Sequence, residues 1–158
     1  MATSLICRET QSRVSSTLNR DAKQFGKKYM FDSNEETCWN SDQGENQWVA
    51  LEFPKNVKMS ELKVQFQGGF SGRTCRLEGC VGGGEFTALS QFYPEDNNSL
   101  QISFVLLFRI CHNDHMEYSF PIQEVPAVSR LKIVFEDSSD FFGRIVVYSL
   151  DILGERAS

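Results

Sequence analysis

The chain has 158 residues, with 16 Lys+Arg against 21 Asp+Glu and a formal net charge of −5. At 41% hydrophobic and 12% aromatic residues it has the material for its own core, which excludes a disordered chain. No apolar run approaches the roughly 20 residues of a membrane-spanning helix, and an acidic balance does not suit a general nucleic-acid coat.

The length predicts one domain over residues 1–158. Charge along it is uneven. Residues 1–30 carry Arg8, Arg13, Arg20, Lys23, Lys27 and Lys28 against only Glu9 and Asp21. A basic segment on an acidic body either meets an acidic or phosphate-bearing partner or is a solvated face. The five cysteines are an odd count, and the first thirty residues lack the apolar run of a secretory signal. Both point to a reducing compartment, nuclear and/or cytoplasmic, and not to secretion.

In chain order, Asp21 is placed to cap a short helical turn that ends at Gly26. Residues 31–44 are mostly polar, with Phe31 opening the stretch and Trp39 within it. Asp32 and Asn34 favour a tight turn because their side chains bond nearby backbone N–H groups, and Thr37 does the same more weakly. Trp39 brings a large apolar body with one N–H donor. It either anchors the loop from the core or lines a recognition surface. Residues 47–53 alternate, with Val49, Leu51 and Phe53 on one face, and predict a strand. Pro54 to Asn56 reads as a turn, and Leu62, Val64 and Phe66 mark a further strand. Gly68 and Gly69 form a turn, and Gly82 to Gly84 tip a hairpin.

Residues 102–119 are out of character. An apolar run is followed by Cys111, His112, Asp114 and His115. The segment is either a buried strand and loop or a surface insertion with an exposed sticky run. No CxxC or HExxH accompanies these side chains, so a metal site is poorly supported. The glycines at 79–84 lack the GK[ST] ending of a phosphate-binding loop. Leu131, Ile133 and Phe135 alternate as a strand, residues 137–140 turn, and residues 144–152 form the longest β-rich run. Many short strands with little helix predict an all-β sandwich or barrel. No constellation supports catalysis, so the expectation is a non-catalytic binding module.

Phe31, Asp32, Thr37 and Trp39, followed by Gln47, Trp48, Leu51 and Phe53, resemble the opening of a discoidin (factor V/VIII C-type) domain. Residues 131–135 and 147–154 are similar to its last strands. The resemblance implies an antiparallel jelly-roll β-sandwich of the galactose-binding-like kind. Longer blocks at 12–16, 24–28, 35–44, 66–70, 92–101 and 140–144 are similar to the small nuclear-receptor-associated proteins of this fold. Residues 102–119 have no counterpart in that resemblance and are expected to loop out of the single domain as an inserted segment.

That family implies a partner, the testicular orphan nuclear receptor, and a role: repression by keeping the receptor from its DNA response element. The alternative is a small-ligand module for carbohydrate or lipid head groups, or a DNA-binding one. In the discoidin pattern Cys7 has a closing cysteine partner, but Glu155 follows Gly154 here, so that staple is missing. Calcium-binding relatives use an Asp and a Thr matched by Asp32 and Thr37, with a Glu where this chain has Ser149. Ca²⁺ is therefore a weak cofactor expectation, since it prefers six to eight oxygens.

In related folds two loops meet at one end of the sandwich. The resemblance thus nominates Trp39, Asn40, Ser41 and Asp42 together with Asp140, Phe141, Phe142 and Arg144 as the partner-binding group. Phe141 and Phe142 are neighbours in a Gly-bounded turn. Successive side chains of an extended segment face opposite ways, so one of the two is expected to be an exposed anchor.

Overall fold

The computed structural model describes residues 3–104, 107–113, 116–122 and 126–157. Along the chain lie β1 (Thr3–Ser4), β2 (Gln11–Val14), the helical turn α1 (Ala22–Phe25), β3 (Trp39–Asn40), β4 (Gln47–Phe66) and β5 (Gly72–Cys80). There follow β6 (Thr87–Phe92), β7 (Leu100–Phe104), β8 (Leu107–Asn113), β9 (Met116–Ile122), β10 (Val128–Ser138) and β11 (Val146–Arg156). Asp21 caps α1 by accepting the Gln24 N–H at 3.2 Å.

β4 organises the sandwich. Its first part, up to Glu52, lies between β2 and β10, and β5 and β6 extend the layer beyond β10. Its second part, from Val57, runs between β11 and β7, with β1 and β3 also paired to β11. All these pairings are antiparallel, and the architecture is the expected jelly-roll β-sandwich. The strand alternation decides the core. Val49, Leu51, Leu77, Leu131 and Ile133 from one layer meet Leu62, Val64, Leu150 and Ile152 from the other, all buried. Trp39, Phe66 and Phe135 fill one end. Phe66 meets Phe135 edge-to-face at 5.5 Å, and Trp39 lies 6.3 Å from Phe135.

The sequence pattern is corrected in one place. Residues 54–56 do not end a strand; β4 runs on through them. Pro54 lacks an N–H to donate, and residues 53–56 have no ladder partner on β10 or β11. The strand therefore bends there and changes layers. A second irregularity follows between Met59 and Glu61, where the register to β11 shifts. Gly154 sits opposite; a Cβ on it would lie 2.0 Å from the Lys58 carbonyl oxygen.

The Gly82–Gly84 hairpin joins β5 and β6 as expected. Residues 102–104 of the 102–119 segment belong to β7 on β4, while β8 and β9, which runs past the segment, pair with each other as a sheet of their own, from Leu107 opposite Ile122 to Asn113 opposite Met116. Cys111 and His112 lie on β8, while Asp114 and His115 are outside the described residues. Cys7, Cys38, Cys75 and Cys80 are free thiols.

Candidate functional site

Two loops meet at the end of the sandwich where β4 begins and β10 ends. The first, residues 41–46, leaves β3; the second, residues 139–145, joins β10 to β11. Their backbones bond directly. The Gly44 N–H donates to the Phe142 carbonyl at 2.9 Å, and the Ser41 N–H to that of Ile145 at 2.8 Å. The Ile145 N–H in turn donates to Ser41 Oγ at 2.8 Å. Gly143 takes φ +85°, and a Cβ there would lie 2.5 Å from the Gly44 oxygen. Glycine is thus required both for the left-handed backbone and for the approach of the two loops.

Asp140 shapes the second loop. Its Oδ2 accepts the N–H groups of Phe142 at 3.2 Å and Arg144 at 3.1 Å. The Ser138 hydroxyl accepts the Asp140 N–H and donates to the Arg144 carbonyl. A short turn held at both ends leaves its apex facing water. Phe141 is 94% exposed and Phe142 58%, packed edge-to-face on each other at 5.2 Å. Both aromatics, not one, stand out as the sequence argument expected of an anchor. Single exposed apolar residues are ordinary, but two contiguous aromatic rings on a braced turn are not. Beside them opens a cleft of about 580 Å³, lined by Gly44, Asn46, Asp137, Ser138, Asp140 and Phe142 among others.

Arg144 leans away from that apex. Its guanidinium covers the Phe70 ring at 5.0 Å, Nη2 reaches Asn40 Oδ1 at 3.5 Å, and its buried Nε has no hydrogen-bond partner among the described residues. The nominated residues of the first loop divide. Trp39 is fully buried, with its indole N–H donated to the Ser16 carbonyl at 3.0 Å, so it belongs to the core and not to a partner surface. Ser41 is fully buried and Asn40 nearly so. These three assignments are corrected: the residues position the site and do not face a partner. Asp42 is half-buried and joins the loop brace through its backbone.

Several residues that pattern reasoning passed over hold this end together. The buried Gln47 accepts from the Ser15 and Ser16 hydroxyls at 2.5 and 2.7 Å, and donates to the carbonyls of Asp42 and Gly44. It therefore ties β2 to the first loop. Asp96 Oδ1 accepts from the Gly69 N–H, the Ser71 hydroxyl and the Ser139 hydroxyl, at 2.8, 2.7 and 3.1 Å. The Gly69 and Ser71 donors hold its carboxyl below the usual range. Gln47 opens a strand and Asp96 sits in a polar loop, so neither carries a local signal of this role.

Asp32 and Thr37 do come together, but for the turn. Thr37 Oγ1 donates to Asp32 Oδ2 at 2.6 Å, and Asp32 Oδ1 accepts the Asn34 N–H at 3.0 Å. Both carboxylate oxygens are committed. Among the described residues no group of three or more His, Cys, Asp or Glu side chains is arranged to hold a metal ion.

No family model matches the chain. Similar proteins are nonetheless clear. It is 64% identical over 156 residues to the nuclear receptor 2C2-associated protein of Danio rerio, covering 99% of each chain. It is 53% identical over 156 residues to the Homo sapiens protein of the same name, again covering 99% of each. Among solved structures it resembles an F5/8 type C domain from Bacteroides fragilis, with TM-score 0.72, 9% identity and coverage of 99% and 98%. It also resembles the family 32 carbohydrate-binding module of Clostridium perfringens NanJ, solved with galactose, at TM-score 0.67, 16% identity and coverage of 97% and 99%.

Proposed function

We propose that this chain, which belongs to the nuclear receptor 2C2-associated protein family, is a non-catalytic interaction module that represses a nuclear receptor by keeping it off its DNA response element. The observation that carries this reading is the exposed Phe141–Phe142 pair on a turn braced by Asp140 and Gly143. A preorganised aromatic pair loses little freedom on docking and supplies the apolar contact typical of an interface centre. The acidic excess of the chain suits approach to the basic surface with which a receptor grips DNA. Such a protein works in the nucleus, or in the cytoplasm where a receptor is held before entry.

The order of events follows from this chemistry. Long-range attraction between unlike charges brings the partners together, and the two rings then exclude water at the contact. No bond is made or broken; repression is competition for one surface. The cleft beside the turn favours one second reading, a small polar ligand such as a sugar, because carboxylate and amide groups line it.

The test is a gel-shift assay with the nuclear receptor 2C2 DNA-binding domain on its response element. The reading expects the purified full chain to release the DNA in proportion to its concentration, with saturating galactose making no difference. Undiminished DNA binding at a large excess of the chain contradicts it. Binding of galactose at the cleft, with no effect on the receptor, establishes the second reading instead.

A further inference from the structure

The outer face of the β2–β4–β10–β5 layer carries a second surface, away from the Phe141–Phe142 turn. Side chains that alternate outward form rows across the strands. Arg13 on β2 stands beside Ala50 on β4, which stands beside Lys132 on β10. In the next row Gln11 is followed by Glu52 and Arg130. Trp48 flanks the first row. Its ring lies 4.7 Å beneath Lys132 Nζ, and the Phe86 ring lies 6.0 Å from the same ammonium. Arg130 also sits 5.5 Å over Phe86.

Arg13 is exposed, and among the described residues no hydrogen bond or ion pair engages its side chain. It divides two depressions. One, about 90 Å³, is lined by Gln11, Ala50, Glu52, Phe86 and Arg130 as well. The other, about 470 Å³, runs past Val14 to Trp48 and Lys27. Phe86 contributes the aromatic surface of the first and Trp48 that of the second.

We propose that this face docks an acidic peptide segment in which carboxylates alternate with apolar side chains. Charge complementarity carries the choice. Arg13 and Arg130 line the smaller hollow together with Glu52, Arg13 and Lys27 line the larger one, and Lys132 stands over its Trp48, on a chain whose overall charge is −5. The planar fork of Arg13 fits a carboxylate with two parallel hydrogen bonds. A nucleic-acid strand is the less suitable occupant. It carries one charge at every nucleotide and would run from this limited patch onto the acidic remainder, whereas a short peptide can space its carboxylates to meet Arg13 and Lys132 and place an apolar side chain opposite Glu52. The face is separate from the receptor contact proposed above, and the two can be tested apart.

The experiment is a titration of the ¹⁵N-labelled full chain with a ten-residue peptide alternating Glu and Leu, followed by amide and indole resonances. The expected result is movement of the Trp48 indole and of the Arg13, Ala50 and Lys132 amides. The Trp39 indole and the Phe141–Phe142 amides should stay in place. The paired change Arg13→Glu and Lys132→Glu should weaken binding at least tenfold. The milder Arg13→Gln with Lys132→Gln should weaken it less, and thermal melting confirms that both variants are folded. An unshifted Trp48 indole at millimolar peptide overturns the proposal. So does equal binding by the charge-reversed variant, or tighter binding of a ten-nucleotide oligo-dT than of the peptide.

Discussion

Trp39 and Phe141 sit on neighbouring loops at the same end of the sandwich and meet opposite fates. Trp39 is fully buried, while Phe141 is 94% exposed. What separates them is the backbone around each. Trp39 lies on a strand paired to β11, so its ring is turned inward, and a carbonyl of residue 16 waits for its N–H. Phe141 lies at the apex of a turn whose amides are satisfied by Asp140 and whose exit needs Gly143. The first loop is built for stability and the second for display. An aromatic in a motif therefore says little about its role until the hydrogen bonds of its own backbone are known.

The sharpest way to break this contrast is Trp39→Ala. Deleting a fully buried indole is expected to cost about 3–5 kcal/mol in chemical denaturation. A loss below about 0.5 kcal/mol, the scale of a surface substitution, would mean the ring is not in the core. Next comes Gly143→Ala. The left-handed backbone and the collision with the Gly44 oxygen should cost about 1–3 kcal/mol and part the two loops. Loss of the Gly44–Phe142 hydrogen bond would appear as faster amide exchange at Gly44.

A smaller, local effect is expected at Asp96. Its carboxyl is held below the ordinary range by donors present only in the folded chain, so its contribution is complete above the unfolded value. That contribution fades as pH falls through the lowered folded value. Exchange of the Gly69 amide, corrected for intrinsic pH dependence, should therefore accelerate in acid, and Asp96→Asn should abolish that extra acid sensitivity. Smallest of all is the effect of Phe141→Ala with Phe142→Ala on stability, within about 0.5 kcal/mol because the rings face water.

The sandwich was legible because strand alternation writes burial into the sequence. Val49, Leu51 and Phe53, like Leu131, Ile133 and Phe135, face the core as their spacing requires. The continuity of β4 was not legible. Pro54 and Asn56 look like a turn, and only the change of layer lets a strand pass through a residue with no N–H. The Asp140 turn was visible as a Gly-bounded polar–aromatic cluster. Its braces were not, since Gln47 reaches Ser15 and Ser16 across 32 and 31 residues, and Asp96 reaches Gly69, Ser71 and Ser139 across 27, 25 and 43. The turn made by Asp32 and Thr37 was legible from the local chemistry of those side chains, and the structure has Thr37 donating to Asp32 within it.

The central claim is that the displayed pair, and not the buried tryptophan's loop, meets the receptor. It is tested most directly by calorimetric titration of the full chain, native and Phe141→Ala/Phe142→Ala, into the receptor's DNA-binding and ligand-binding domains separately. The account predicts binding to one of the domains, weakened at least tenfold in a double variant whose melting is unchanged. Equal affinity of the native and doubly substituted chains, or no binding of the native chain to either domain, would contradict it.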